Sequence, residues 1–231
     1  MAEPPSGEEQ DSLDRIVVVL VQHGVHFIAI GGWAVQAQQY DLGRVTYDID
    51  VTPERSRENL QRLSEALDDL GAEVRYGDQT LPFAHDGESL ARAAVWNLSC
   101  RHGDFDVCLE PTGIEGGYDE LSRTAHTVAI EVGDEVVPVR CADLADIVRS
   151  KQTADRFKDR EDLAVLVPQL QDNHPHRRGR EDPVSETEHD ASQLQDNDWG
   201  IDKVLYETEH DVQRLEDDEA RRWGYDGGLG L

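Results

Sequence analysis

A short apolar run, Phe27-Ile28-Ala29-Ile30, ends on two consecutive glycines, Gly31-Gly32, and one short helix later comes a second strand-like run, Tyr47-Asp48-Ile49-Asp50-Val51. A buried strand that stops on Gly-Gly can turn sharply and bring bare backbone N–H groups toward an anion, because glycine tolerates dihedral angles that other residues resist. In the second run alternate side chains share a face, so Asp48 and Asp50 project to one side while Ile49 enters a core. An isolated D-x-D in so acidic a chain reads as a solvated edge strand. Strand, glycine bend, helix, Arg44-Val45-Thr46 and then Asp48-x-Asp50 form an ordered constellation instead, and that order points to a platform for a divalent metal ion beside a phosphate.

The stretches Gly31-Gly32-Trp33-Ala34 and Arg44-Val45-Thr46-Tyr47-Asp48-Ile49-Asp50 resemble the DNA polymerase β-like nucleotidyltransferase superfamily. The likeness is strongest to the small bacterial nucleotidyltransferases of toxin–antitoxin and phage-defence systems, with the aminoglycoside and lincosamide nucleotidyltransferases as near neighbours. It spans residues 17 to 166 or so. The resemblance implies an α+β fold, a mixed twisted sheet flanked by helices, with a third acid on a later strand. In Asn97–Leu109 the pattern is that of a hairpin whose second strand carries Asp104 and Asp106 on one face and Phe105 and Val107 on the other. Either acid could reach a metal on spacing alone. The Glu110-Pro111 and Gly117-Tyr118 stretches match the family pattern and place its third acid at Asp106, leaving Asp104 as a turn-side residue.

What the resemblance implies chemically is transfer of a nucleoside monophosphate from an NTP to an acceptor hydroxyl, with pyrophosphate leaving. Asp48, Asp50 and Asp106 are the expected catalytic and metal-holding residues, for two Mg2+ ions about 3.5–4 Å apart. Gly31 and Gly32 are the expected phosphate cradle. Where many relatives carry a serine after the first glycine this chain has Gly32, which leaves phosphate gripping to backbone and basic side chains, Arg44 first and Lys151 second. Lys151 sits in Leu144–Lys151, whose apolar spacing fits a helix packed behind the sheet. The paired Ser150-Lys151 and Lys158-Asp159 match a motif of the relatives, and they hold two of the chain's three lysines.

Trp33 reads either as a stacking surface for a base or, more simply, as packing between helix and sheet. Cys100, Cys108 and Cys141 lack metal-ligand spacing and read as reduced cytoplasmic thiols. His174-Pro175-His176 looks like the start of a linker, and the Asn97-Leu98-Ser99 sequon has no role in a cytoplasmic chain. No apolar run is long enough for a membrane span: Ile16–Val21 reads as part of a buried helix over 12–23, capped near Asp11-Ser12 and ended by Gly24.

At 231 residues the chain has room for one domain of about 150 residues and additional material. Residues 1–10 are expected to be disordered, 11–173 to form the nucleotidyltransferase domain, and 174–231 to be a largely disordered acidic tail. The tail repeats a phrase, Glu186-Thr187-Glu188-His189-Asp190 and Glu207-Thr208-Glu209-His210-Asp211, and around the second copy a weak amphipathic helix is expected. The formal net charge of −27 opposes unassisted tight binding of nucleic acid. It also fits a protein adapted to high internal salt. Arg149, Lys151, Arg156, Lys158 and Arg160 form the one dense basic patch in the catalytic part, where a tRNA end could be held.

The expected element order is helix 12–23, strand 26–30, helix 32–41, strand 47–52, helix 54–70, strand 72–76, an irregular stretch, strands 92–100 and 104–109, a short helix over 118–124, strands 126–131 and 135–140, and helices 142–153 and 159–170. Three functions follow. The first is nucleotidyl transfer to a macromolecule such as tRNA or a partner toxin or antitoxin protein. The second is an antibiotic-modifying enzyme of the aminoglycoside or lincosamide type, whose acidic surface would attract cationic substrates. The third is a non-catalytic protein on the same fold that binds a basic partner through its acidic tail.

Overall fold

A computed structural model describes residues 7–77 and 79–173. The acidic tail, its repeated phrase and His174-Pro175-His176 lie outside the described residues, as do residues 1–6 of the expected disordered N-terminus. The described residues up to Leu166 form one compact unit.

The first helix, α1 (Gly7–Gln22), begins ahead of the Asp11-Ser12 cap expected from sequence. Its Leu13, Ile16, Val17 and Leu20 are buried, the i, i+3, i+4, i+7 stripe of a helix lying on a core. Gly24, at φ +66°, closes it and feeds β1 (Phe27–Ile30). The helix α2 (Gly31–Ala37) follows at once and is only seven residues long, shorter than the expected 32–41. Strand β2 (Asp48–Pro53) returns antiparallel to β1, pairing Asp50 with Ile30.

Ser56 caps α3 (Arg57–Leu70) by accepting from the Asn59 amide, and Gly71 ends it in the left-handed conformation. The fully buried Asn59 locks helix to sheet: its amide donates to the carbonyls of His26 and Glu54, and its oxygen accepts from the His26 N–H at 2.7 Å. Next come β3 (Glu73–Tyr76), β4 (Gln79–Pro82) and α4 (Gly87–Leu90), where β4 and α4 occupy the stretch read as irregular. β4 is exposed at all four positions, so no hydrophobic alternation marks it.

Strands β5 (Val95–Cys100) and β6 (Gly103–Cys108) form the expected hairpin, and α5 (Gly117–Leu121), β7 (His126–Val132), β8 (Glu135–Cys141), α6 (Leu144–Ala154) and α7 (Phe157–Asn173) complete the order. The result is a mixed eight-stranded sheet, β4-β3-β5-β6-β2-β1-β8-β7. Two pairings are parallel, β2 with β6 and β1 with β8; the rest are antiparallel. Ile49, Val51, Phe105 and Val107 are completely buried on one face at the sheet's centre. The α+β architecture of a mixed sheet flanked by helices is thus as expected. Among the described residues no helix is long and apolar enough to cross a membrane.

Candidate active site

Parallel pairing of β2 with β6 makes the site. Asp50 lies opposite Asp106 and Asp48 opposite Asp104, and residues two apart share a face, so all four carboxylates project from the side of the sheet opposite Ile49 and Phe105. Asp104 is therefore a ladder residue on the site face, not the turn-side residue expected. Asp48, Asp50 and Asp106 line a cleft of about 450 Å³, together with Gly31, Gly32, Arg44, Lys151, Arg156 and Lys158. Every residue picked out from sequence for the site borders this one cavity, whose size suits a nucleotide-sized ligand.

The glycine bend is shaped by what presses on it. Gly31 adopts φ +70°, and a methyl group there would fall on the Asp50 carboxylate; one at Gly32 would sit 2.6 Å from the Thr46 hydroxyl oxygen. Thr46 in turn donates to Asp48 at 3.4 Å. Close approach of these side chains to bare backbone is what demands glycine at both positions.

Charge in the cleft is divided. Burial, then the neighbouring charges of Asp48 and Asp106, push the Asp50 carboxyl up to about 7 against the opposing pull of Lys158 and Lys151. Burial also raises Asp106, with the Asp48 charge adding to it and Arg75 opposing it. Burial and the same acids push the Cys108 thiol up, which keeps it protonated and makes it a poor nucleophile. The three cysteines are free thiols.

The cations opposite are held by two buried acids on α7. Arg44 clamps Asp162 through Nε at 2.6 Å and Nη2 at 2.9 Å, and the buried Lys151 donates to the same carboxylate at 2.6 Å. Arg156 donates to Asp159 at 2.6 Å. Burial alone would raise Asp162, but the hydrogen bonds from Arg44 and Lys151 more than reverse it and hold the carboxyl below its usual range. Arg44 and Lys151 thus border the cleft with their charges already shared with Asp162. Lys158 has no ion-pair partner among the described residues and acts through space on Asp50 and Asp106. Of the expected basic patch, Arg149 is paired with Glu120 and Asp146, and Arg160 with Asp155.

Two contributors were not legible beforehand. Arg75 of β3 donates to Asp104 at 2.5 Å and to Asp106 at 2.6 Å. The Asn97 amide, turned so that its nitrogen faces Asp106, lies 3.1 and 3.2 Å from that carboxylate's two oxygens. Asn97 pairs with Asp106 across β5 and β6, and no local pattern in sequence reports such a pairing. Trp33 is 2% exposed and its indole N–H donates to Asp14 at 2.7 Å, which leaves it as packing and not as a stacking platform.

Carboxylates are the hard oxygen donors that magnesium takes, and Asp48 and Asp50 are the residues here that could hold one. Among the described residues no three of His, Cys, Asp and Glu already converge to metal-holding distance, and Asp106 is engaged with Arg75 and Asn97 instead.

No family model matches the chain, and no curated protein matches it. Solved structures with a partial likeness include the antibiotic-resistance factor ANT(2'')-Ia, at 16% identity over 92% of this chain and 97% of that one, with a TM-score of 0.46. The lincosamide antibiotic adenylyltransferase LnuA, bound to lincomycin, is similar at 14% identity over 71% of this chain and 98% of that one, with a TM-score of 0.43. An antigenic nucleotidyltransferase-like protein from Paracoccidioides brasiliensis is similar at 16% identity over 73% of this chain and 79% of that one, with a TM-score of 0.42.

Proposed function

We propose that the chain is a metal-dependent nucleotidyltransferase that moves a nucleoside monophosphate from an NTP to an acceptor hydroxyl. The observation that carries this reading is the register of β2 on β6, which sets Asp50 beside Asp106 with Asp48 on the same face, in one cleft with the glycine bend and four basic residues. Asp48 and Asp50 would hold Mg2+, which would supply Lewis-acid neutralisation of the triphosphate's charge. Gly31 and Gly32 would offer their backbone N–H groups to the phosphates, and Lys158, Arg44 and Lys151 border the same space. Asp106, raised by burial, accepts the proton of the acceptor hydroxyl. The acceptor oxygen forms a bond to the α-phosphorus as the bond to the bridging oxygen breaks, and pyrophosphate leaves with that electron pair.

A macromolecular acceptor, a tRNA end or a partner protein in a toxin–antitoxin or defence setting, is supported by the motif likeness of residues 31–34 and 44–50. A second reading, a cationic small-molecule acceptor of the aminoglycoside kind, is favoured by one observation. Four of the five residues of the basic patch are paired internally, and five acids, Asp48, Asp50, Asp106, Glu110 and Asp146, border the cleft. Incubating the full chain with each labelled NTP, Mg2+ and cell extract separates the two by whether label enters RNA, protein or a small molecule. Transfer should vanish in Asp48→Ala. Failure to bind any triphosphate in the presence of Mg2+ would sink the proposal.

A further inference from the structure

Arg75 is a cation at the site for which nucleotidyl transfer, as derived above, has no use. It enters from β3, and its two terminal nitrogens reach separate carboxylates, Nη1 to Asp104 and Nη2 to Asp106. It is the only cation within ion-pair distance of either acid among the described residues. Without it, the parallel register would set two facing pairs of carboxylates, Asp48 with Asp104 and Asp50 with Asp106, on adjacent strands about 4.8 Å apart. A planar guanidinium suits this place because its fixed fork satisfies two anions at once and carries its charge at every accessible pH.

We propose that Arg75 is a built-in cation that takes the charge-neutralising place of a second divalent ion at Asp106, so that the site binds one metal ion per chain, at Asp48 and Asp50. Three observations carry it. Asp106 accepts from Arg75 and faces the Asn97 amide, so its oxygens are directed at nitrogen donors. Asp104, which would otherwise draw a cation to the same edge, is tied up by the same side chain. Finally, no third carboxylate converges with Asp48 and Asp50 among the described residues. Arg75 is on this account a positioning residue: it holds Asp106 aimed while repelling a second ion. The inference rests on the metal-dependent reading of Asp48 and Asp50.

The test counts ions without turnover. Full-length protein at pH 8 is titrated with Mn2+ alone and the free ion is read by electron paramagnetic resonance. Wild type should bind one ion at the site, lost in Asp50→Asn. Arg75→Ala and Arg75→Gln should each bind a second, because Asp104 and Asp106 are then unneutralised. Arg75→Lys, which keeps the charge, should remain at one. Using Gln beside Ala separates loss of charge from loss of the packed stem. Two ions in wild type, or one in both neutral variants, would overturn the role of Arg75 and leave the nucleotidyltransferase reading standing. No ion in any of the proteins would overturn both.

Discussion

Asp50 should be a residue that costs the fold stability in order to serve the site, and Asp50→Asn measures that cost. In the folded chain its carboxyl titrates at about 7, against 3.8 for an ordinary aspartate, because burial and the charges of Asp48 and Asp106 disfavour the anion. Between these values the folded state holds a proton that the unfolded chain has released. Stability therefore falls as pH rises from about 4 to about 7, and the full penalty is present above that window. Roughly three units at 1.4 kcal/mol each put the penalty at about 4 kcal/mol. An asparagine cannot ionise, but a buried amide left without partners returns about 1–3 kcal/mol of that gain. Asp50→Asn should thus be more stable than wild type by about 1–3 kcal/mol at pH 8, with the advantage shrinking by about 1.4 kcal/mol per unit toward pH 4. Urea denaturation of both proteins at pH 5 and pH 8 in a chelating buffer reads the difference. Adding Mg2+ at pH 8 should restore wild type and leave the variant unmoved. A stability difference that is the same at both pH values would refute the electrostatic argument.

Asp106→Asn should cut the rate of nucleotidyl transfer by about 10²–10⁴-fold with a cooperative fold retained, read from single-turnover transfer of labelled NMP beside a thermal melt. Gly31→Ala should destabilise by at least about 1–2 kcal/mol, since an alanine at φ +70° is strained before its methyl meets Asp50; chemical denaturation checks it. Asp162→Asn should cost roughly 3–5 kcal/mol, because Arg44 and the buried Lys151 then face a neutral amide, again read from urea midpoints. Trp33→Phe should lose about 1–3 kcal/mol by removing the buried indole N–H that donates to Asp14, with KM for the triphosphate unchanged if the indole packs and does not stack.

Much of the sheet was legible because its signals are local. Phe27–Ile30, Asp48–Val51 and Gly103–Cys108 alternate or run apolar at strand length, and the Gly31-Gly32 bend is visible as two letters. Boundaries slipped where the deciding term is tertiary. α2 ends at Ala37 although the pattern continues to Tyr40, and Gln39 takes φ +66° in the turn that follows. α1 starts at Gly7 despite a good cap at Asp11-Ser12. β4 has no buried position and so no alternation to read.

The sequence by itself determined that Asp48 and Asp50 share a face beside a glycine bend, because strand periodicity and glycine's dihedral freedom act over a few residues. Only the tertiary structure decided that Asp106 stands next to Asp50, that Asp104 joins the same face beside Asp48, and that Arg75 bridges those two acids. It likewise decided that Arg44 and Lys151, 107 positions apart, share Asp162. These pairings depend on strand order and register across the sheet, and burial there turns ordinary surface residues into coupled charges whose interaction no linear spacing encodes.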